Sequence, residues 1–226
     1  MGGDLIRRLK RRYWRVRNTL RRRRDRIFDE TLGVDTAGHV ELAALGTIDA
    51  ASKPFGTHYL PSPVELVREL LRGLNIRHED YVFVDLGSGK GRVLLLAAEL
   101  PFKGVIGVEF SSELHAIALS NIERMAADHR GIRAEIGNAA QFPIPDTNSV
   151  IFLANPFSGP VLDAVIGNIA SALLSTPHDI LVLYLYPKHR AAFDACRLLA
   201  VKSQGENHVV YGRAPGFSAP AGRRRQ

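Results

Sequence analysis

Hydrophobic and polar positions follow two different regimes along the chain. Leu5, Leu9, Tyr13, Val16, Leu20 and Ile27 recur at helical spacing with arginines on the remaining faces, which predicts an amphipathic helix. From residue 81 onward, short continuous apolar runs alternate with stretches of helical period. The runs predict strands at 81–86, 104–109, 132–136, 149–154 and 179–186, and the stretches predict helices at 90–100, 111–128, 160–175 and 188–198. Two further β-like runs, 199–203 and 208–211, flank Gly205. Continuous apolar strands are those of a parallel sheet covered on both faces. Repeated βα units then predict an α/β fold, a Rossmann-like, doubly wound, mostly parallel sheet with ligands at the strand C-termini.

Between these regimes the pattern loosens, with Gly33, Gly38 and Gly46 punctuating short apolar pieces. One more helix is expected just before the first strand. Ser62 as N-cap, Pro63 at the first helical position and Glu65 three residues after the cap form a capping box, and Gly73 ends the helix. The expected organisation is a basic helix over 1–28, an irregular lead-in or lid over 29–60, a folded domain over 61–213 and a disordered basic tail over 214–226.

Composition changes this picture little, and charge changes it more. At 226 residues, 46% hydrophobic and 23% charged, the chain has the size and balance of one globular domain. A single cysteine excludes an internal disulfide framework. The net charge of +7 is concentrated at the ends: residues 1–26 hold twelve Arg and Lys against two Asp, and Arg223, Arg224 and Arg225 follow at the other end. The residues between carry a net negative charge, so the high pI says nothing of a nucleic-acid-binding domain. For the Arg-rich helix, docking on its own domain or a partner protomer stands ahead of contact with nucleic acid or an anionic membrane surface. No apolar run is long enough for a transmembrane segment. The Arg-rich N-terminus is poor in the serine of a mitochondrial transit peptide, and a cytoplasmic location is expected.

The candidate chemistry begins at Val84-Asp85-Leu86-Gly87-Ser88-Gly89-Lys90-Gly91-Arg92, a strand, a glycine turn and a helix start. Alternate glycines let the backbone approach a ligand, and the helix aims its free N–H groups at the same spot. Glu109 ends the second strand about 20 residues later, where a carboxylate holds a ribose diol. Loop and acid together indicate a nucleoside cofactor. Three features favour S-adenosylmethionine (SAM) over NAD: glycine spacing tighter than G-x-G-x-x-G, Asp85 where a pyrophosphate would be repelled, and Asn155-Pro156-Phe157 ending the fourth strand. Lys90 invites a phosphate-loop reading. That reading fails, because Val84 stands where glycine is required and Gly91 where Ser or Thr would hold magnesium.

These motifs, with Gly107-Val108-Glu109-Phe110 and Gly137-Asn138-Ala139, resemble those of the class I SAM-dependent methyltransferases. The stretch from Tyr59 through Arg92 is also similar to non-SET protein lysine methyltransferases of the histone-methylation type. The resemblance implies a seven-strand sheet and SAM as cofactor. It implies that Asp85, Gly87, Ser88, Gly89 and Gly91 line the methionine half. Glu109 would hold the ribose, Asn138 and Ala139 would lie beside adenine, and Tyr59 would act as a lid.

For methyl transfer the acceptor must be held in line with the S–CH₃ bond. Asn155 Oδ1 is expected to aim an amine, with Pro156 fixing the backbone and Phe157 packing over the acceptor. The alternative is that Asn155-Pro156 simply starts a turn. No metal is expected, because neither the histidines nor Cys196 show ligand spacing. The expected function is methylation of a nitrogen, with protein lysine ahead of a small molecule. Alternatives are a nucleic-acid base methyltransferase, an NAD-dependent oxidoreductase and a non-catalytic cofactor-binding scaffold.

Overall fold

The computed structural model describes residues 19, 23–125 and 131–217. The strands are β1 (Val82–Leu86), β2 (Gly104–Glu109), β3 (Ile132–Ile136), β4 (Ser149–Leu153), β5 (Ile180–Leu185), β6 (Leu199–Gln204) and β7 (His208–Arg213). They form one seven-stranded sheet in the order β3-β2-β1-β4-β5-β7-β6. The pairings among β1 to β5 are parallel. The β6–β7 hairpin closes the sheet antiparallel to β5. Strand order reverses between β1 and β4, and the crevice at such a switch point is where ligands settle in open α/β sheets.

The helices are residues 23–32 (α1), Val64–Arg72 (α2), Arg92–Ala97 (α3), Ser112–Met125 (α4), Gly159–Ser175 (α5) and Arg190–Asp194 (α6). Alternation along each strand divides the core in two. Phe83, Val105, Phe152 and Leu183 face a layer containing Val67 and Leu71 of α2 and Leu94 to Ala97 of α3, with Ile122 of α4 packed against it. Val84, Ile106, Ile151 and Val182 face Leu162, Val165 and Ile169 of α5 and Phe193 of α6. The doubly wound architecture expected from the pattern is therefore present.

Three local expectations change. Helix α2 starts at Val64 with Pro63 as its N-cap and no side-chain capping bond. Ser62 is instead buried, with its carbonyl accepting from the Arg92 guanidinium at 3.3 Å. Helix α6 is only five residues long, because the chain must turn back into β6 at Leu199. The expected boundary at residue 28 falls inside α1, which runs to 32. Most of the amphipathic stripe over 1–28 lies outside the described residues. Within them Ile27 is half exposed, while Asp25 and Phe28 turn inward. Residues 218–226 of the expected tail likewise lie outside the described residues.

Residues 33–61 form a strap rather than a loose lead-in. Val40 and Tyr59 exchange backbone hydrogen bonds at 3.2 and 2.8 Å. Gly56 forms a bridge with Phe157 beyond β4, and the Ile48 N–H reaches the Phe110 carbonyl beyond β2 at 3.1 Å. The strap thus crosses the C-terminal ends of β1, β2 and β4.

Candidate cofactor pocket

The end of β1 turns through Gly87, Gly89 and Gly91, all at positive φ. The turn is pinned to β2, because the Gly87 and Ser88 N–H groups both donate to the Val108 carbonyl, at 2.8 and 3.0 Å. A Cβ on Gly87 would collide with the Pro156 ring, and one on Gly89 with the Tyr59 ring. Glycine is therefore required twice over, by backbone angle and by close approach. The loop is held between the turn after β4 and the strap. Gly91 differs from the other two. It caps the start of α3 and faces Ala118 of α4, outside the pocket lining.

A cleft opens beneath the strap at this switch point. Asp85, Gly87, Ser88, Gly89, Glu109, Asn138, Ala139 and Tyr59 all line it, as do Pro156 and Phe157. The Asp85 side chain is buried and makes no hydrogen bond or ion pair among the described residues. Burial first, and the nearby Glu109 charge second, hold its carboxyl well above the usual carboxylate range. A buried carboxylate with no partner is costly unless a ligand supplies one. Glu109 is better satisfied, with Oε2 accepting from the Gly89 N–H at 2.8 Å and Oε1 from the Ser111 N–H at 2.9 Å. Its carboxyl is still raised by burial, against the opposing pull of those backbone donors. Ser88 Oγ is buried with no partner among the described residues.

These features fit the methionine and ribose parts of SAM. An unpaired carboxyl group lies beside glycines stripped of Cβ atoms, with a second one at the next strand tip. Each Glu109 oxygen keeps a further lone pair for a hydroxyl donor. Asn138 borders the cleft with its amide already engaged. Its Oδ1 accepts from the Ala140 N–H at 2.9 Å, while Nδ2 donates to Asp49 Oδ2 at 2.6 Å and Ser52 Oγ at 2.8 Å. It joins the strap to the end of β3. Tyr59 donates its hydroxyl to the Thr36 carbonyl at 2.6 Å, and burial raises its phenol above the ordinary range.

The Asn155-Pro156-Phe157 turn divides in its roles. Pro156 and Phe157 form pocket wall, but Asn155 lies outside the lining. Its Oδ1 accepts from Tyr184 Oη at 2.8 Å and the Lys188 N–H at 3.1 Å, and its Nδ2 donates to the Tyr186 carbonyl. Asn155 Oδ1, expected to aim the acceptor, is thus engaged by these two donors. The amide is spent holding a left-handed turn, φ +55°, and Asn tolerates that conformation better than most residues. Its carbonyl accepts from Thr57 Oγ1 at 2.9 Å, and the Pro156 carbonyl from the Thr57 N–H at 3.1 Å, which ties the strap to this wall.

Two anchors of the strap escaped the sequence reading. Lys90 Nζ turns away from the pocket to Asp35 Oδ1 at 2.7 Å and the Ala37 carbonyl at 3.1 Å. Arg92 is almost wholly buried. Its Nε donates to Thr36 Oγ1 and one terminal nitrogen to Asp25 Oδ1, both at 2.7 Å, and Asp29 lies 3.5 Å from the other. The signal for Arg92 was a lone charge opening the apolar run Val93–Ala97, since a charge buried there must have partners. Nothing in the local sequence names those partners. One group of metal-ligating type was also missed. Among the described residues, His39, Glu41 and His58 bring ligand atoms within 4.8 Å of one another.

Comparison with known proteins gives a consistent setting for this geometry. Residues 57–134 match the family model described as histone methylation protein DOT1. A protein-lysine N-methyltransferase from Saccharolobus islandicus (strain REY15A) is 39% identical over 67 residues, which is 29% of this chain and 41% of that protein. The match thus spans about two fifths of that relative's length. Among solved structures, a SAM-dependent methyltransferase from Aquifex aeolicus aligns with a TM-score of 0.52 at 14% identity, covering 68% of this chain and 94% of the other. The pyocyanin biosynthetic protein PhzM aligns at 0.50 and 15% identity, covering 66% and 54%. The chain carries the fold of the Aquifex aeolicus SAM-dependent methyltransferase, and its residues 57–134, from the strap end into β3, are similar to the histone methylation protein DOT1 family.

Proposed function

We propose that the protein transfers a methyl group from SAM to a nitrogen acceptor, with a protein lysine side chain ahead of a small-molecule amine. The observation that carries the donor is Asp85, a buried carboxylate without a partner beside Gly87 and Gly89. When bound, SAM supplies a methyl group on a cationic sulfur, together with an ammonium group. Asp85 neutralises that positive charge, and a dinucleotide pyrophosphate there would meet two carboxylates instead. Glu109 holds the ribose hydroxyls. The strap, tied down by Lys90, Arg92 and Asn138, covers the pocket and keeps water from the reacting centre.

Transfer asks the protein mainly for alignment and exclusion of water. Pro156 and Phe157 form the wall along which the acceptor lies, and Asn155 fixes that wall through its three hydrogen bonds to residues 184–188. Asn155 is a positioning residue in this account. The lysine acceptor is supported by the DOT1 family match and by the protein-lysine N-methyltransferase relative.

The test combines donor binding with acceptor identification. S-adenosylhomocysteine at about a hundred times its Kd should stabilise the fold by about 2.7 kcal/mol. Labelled SAM added to a cell extract should then mark protein lysine. Stabilisation by NADH but not by S-adenosylhomocysteine would mean an oxidoreductase, and donor binding with no labelled product would mean a scaffold. Label on a nucleic-acid base would overturn the lysine acceptor while leaving the donor in place.

A further inference from the structure

The strap carries a second cluster of side chains with its own chemistry, at the rim of the pocket. Val40 and Tyr59 exchange both backbone hydrogen bonds as an isolated antiparallel bridge, whose register sets Glu41 opposite His58. Side chains along a strand alternate faces with period two. His39, Glu41 and His58 therefore share the face opposite the one taken by Val40 and Tyr59. All three are exposed, and their ligand atoms lie within 4.8 Å of one another. The two imidazole rings meet edge to face with centroids 4.8 Å apart, and His39 Nε2 lies 3.6 Å from Glu41 Oε1.

We propose that His39, Glu41 and His58 bind a zinc ion that fastens the two edges of the strap together at the mouth of the pocket. Two imidazoles and one carboxylate form a borderline-soft donor set suited to zinc, and water completes the tetrahedron. Bond lengths of about 2.0–2.2 Å place tetrahedral ligand atoms roughly 3.3 Å apart. The present spacing therefore needs a contraction of at most about 1.5 Å, which rotation of exposed side chains supplies without moving backbone. The His39–Glu41 contact at 3.6 Å would be exchanged for bonds to the metal. The ion joins residues 39–41 to residue 58 across the intervening segment 42–57, which contributes Leu45, Ser52, Gly56 and Thr57 to the pocket lining. Metal binding would thereby restrain that wall of the pocket. This inference rests on the strap geometry alone and stands whether or not the methyl acceptor is lysine.

The experiment uses the full chain without a histidine tag and titrates zinc against a chromophoric chelator. The expected result is one zinc per chain, lost in His39→Ala and in His58→Ala, weakened in Glu41→Gln and retained in His189→Ala, whose histidine is exposed elsewhere. Circular dichroism of the metal-free variants confirms that they fold. Hydrogen exchange over residues 42–57 should slow with zinc in the wild type and remain unchanged by zinc in His58→Ala. Equal zinc uptake by the wild type and a His39→Ala/His58→Ala double variant, or no stoichiometric uptake by the wild type, overturns the site. Stoichiometric uptake with no change in exchange over 42–57 overturns the fastening role.

Discussion

Burial of Asp85 without a partner makes its ionisation costly in the ligand-free protein, and that cost has two consequences of opposite sign. Its folded carboxyl titrates above the unfolded value, so the folded state holds the proton more tightly. The resulting stability is fully present below the unfolded pKa and is lost as pH rises through the raised one. Asp85→Asn removes the charge and keeps the shape. It should therefore raise the unfolding free energy at neutral pH by about 1–3 kcal/mol, the scale of an uncompensated buried polar group, with the gain vanishing in acid. The same substitution should abolish SAM binding. In the wild type, SAM affinity should climb with pH through the raised range, because only the carboxylate attracts the donor. Glu109, the other carboxylate facing this site, is already bonded to two N–H groups and contributes a smaller change. Urea melts at two pH values and calorimetric SAM titrations measure both effects. A variant that is less stable and still binds SAM would show that Asp85 has a structural partner instead. Residues of this kind were legible in the sequence, because a carboxylate inside an apolar strand before three alternate glycines has few structural uses. Asn155 is the converse case. Its fate depended on Tyr184, Tyr186 and Lys188, some thirty residues away, and a turn dipeptide does not announce those bonds.

At the scale of elements, the sheet was legible and the strap was not. Continuous apolar runs and helical periods report burial directly, and they located all seven strands close to where they lie. The strap has no period, because side chains and short backbone bridges hold it to other elements: Lys90 to Asp35, Asn121 to both backbone groups of Asp35, Thr57 to the turn after β4. Such contacts span tens of residues and leave no local mark. Helix α1 illustrates the same limit. Its apolar stripe pointed to Ile27, but the helix docks through Asp25, Phe28 and Asp29, with the Arg92 guanidinium 5.6 Å from the Phe28 ring centroid. A buried guanidinium that loses its nearer anion keeps only the more distant Asp29, 3.5 Å away, against its charge. Asp25→Asn should accordingly cost about 3–5 kcal/mol of unfolding free energy. Converting Asp25 and Arg92 together to apolar residues of similar volume should recover part of that loss, the remainder being the contacts that Arg92 also makes to Thr36, Ser62 and Asp29. Chemical denaturation of the single and double variants gives the coupling. A loss below about 0.5 kcal/mol for Asp25→Asn, as at ordinary surface positions, would mean that solvent reaches the pair.

For the molecule as a whole, the question is how a strongly basic N-terminus belongs to a domain that is otherwise mildly acidic. The junction lies within α1: Asp25, Phe28 and Asp29 are committed to the domain, whereas Arg23, Arg24 and Arg26 of the same helix face solvent. Two truncations separate the structural share from the electrostatic one. Deleting residues 1–18 removes seven basic residues and one aspartate and leaves the Asp25–Arg92 pair in place, so the melting temperature and the affinity for S-adenosylhomocysteine should stay near wild type. Deleting residues 1–32 removes both anionic partners of Arg92, Asp25 and Asp29. It also frees Thr36 and Ala37, whose groups the Asp29 carboxylate holds at 2.5–2.8 Å. Because Thr36 in turn receives the Tyr59 hydroxyl, the loss reaches the loop at Gly89, and donor affinity should fall together with stability. Binding to a polyanion should respond differently. It should weaken already with the shorter deletion, and its log–log salt slope should drop by about 0.9 for each phosphate contact removed. If methylation of a protein lysine is the reaction, turnover survives the shorter deletion while polyanion binding declines. Turnover lost in parallel with the salt slope, at unchanged donor affinity, would instead assign the arginines to the acceptor and make that acceptor a nucleic acid.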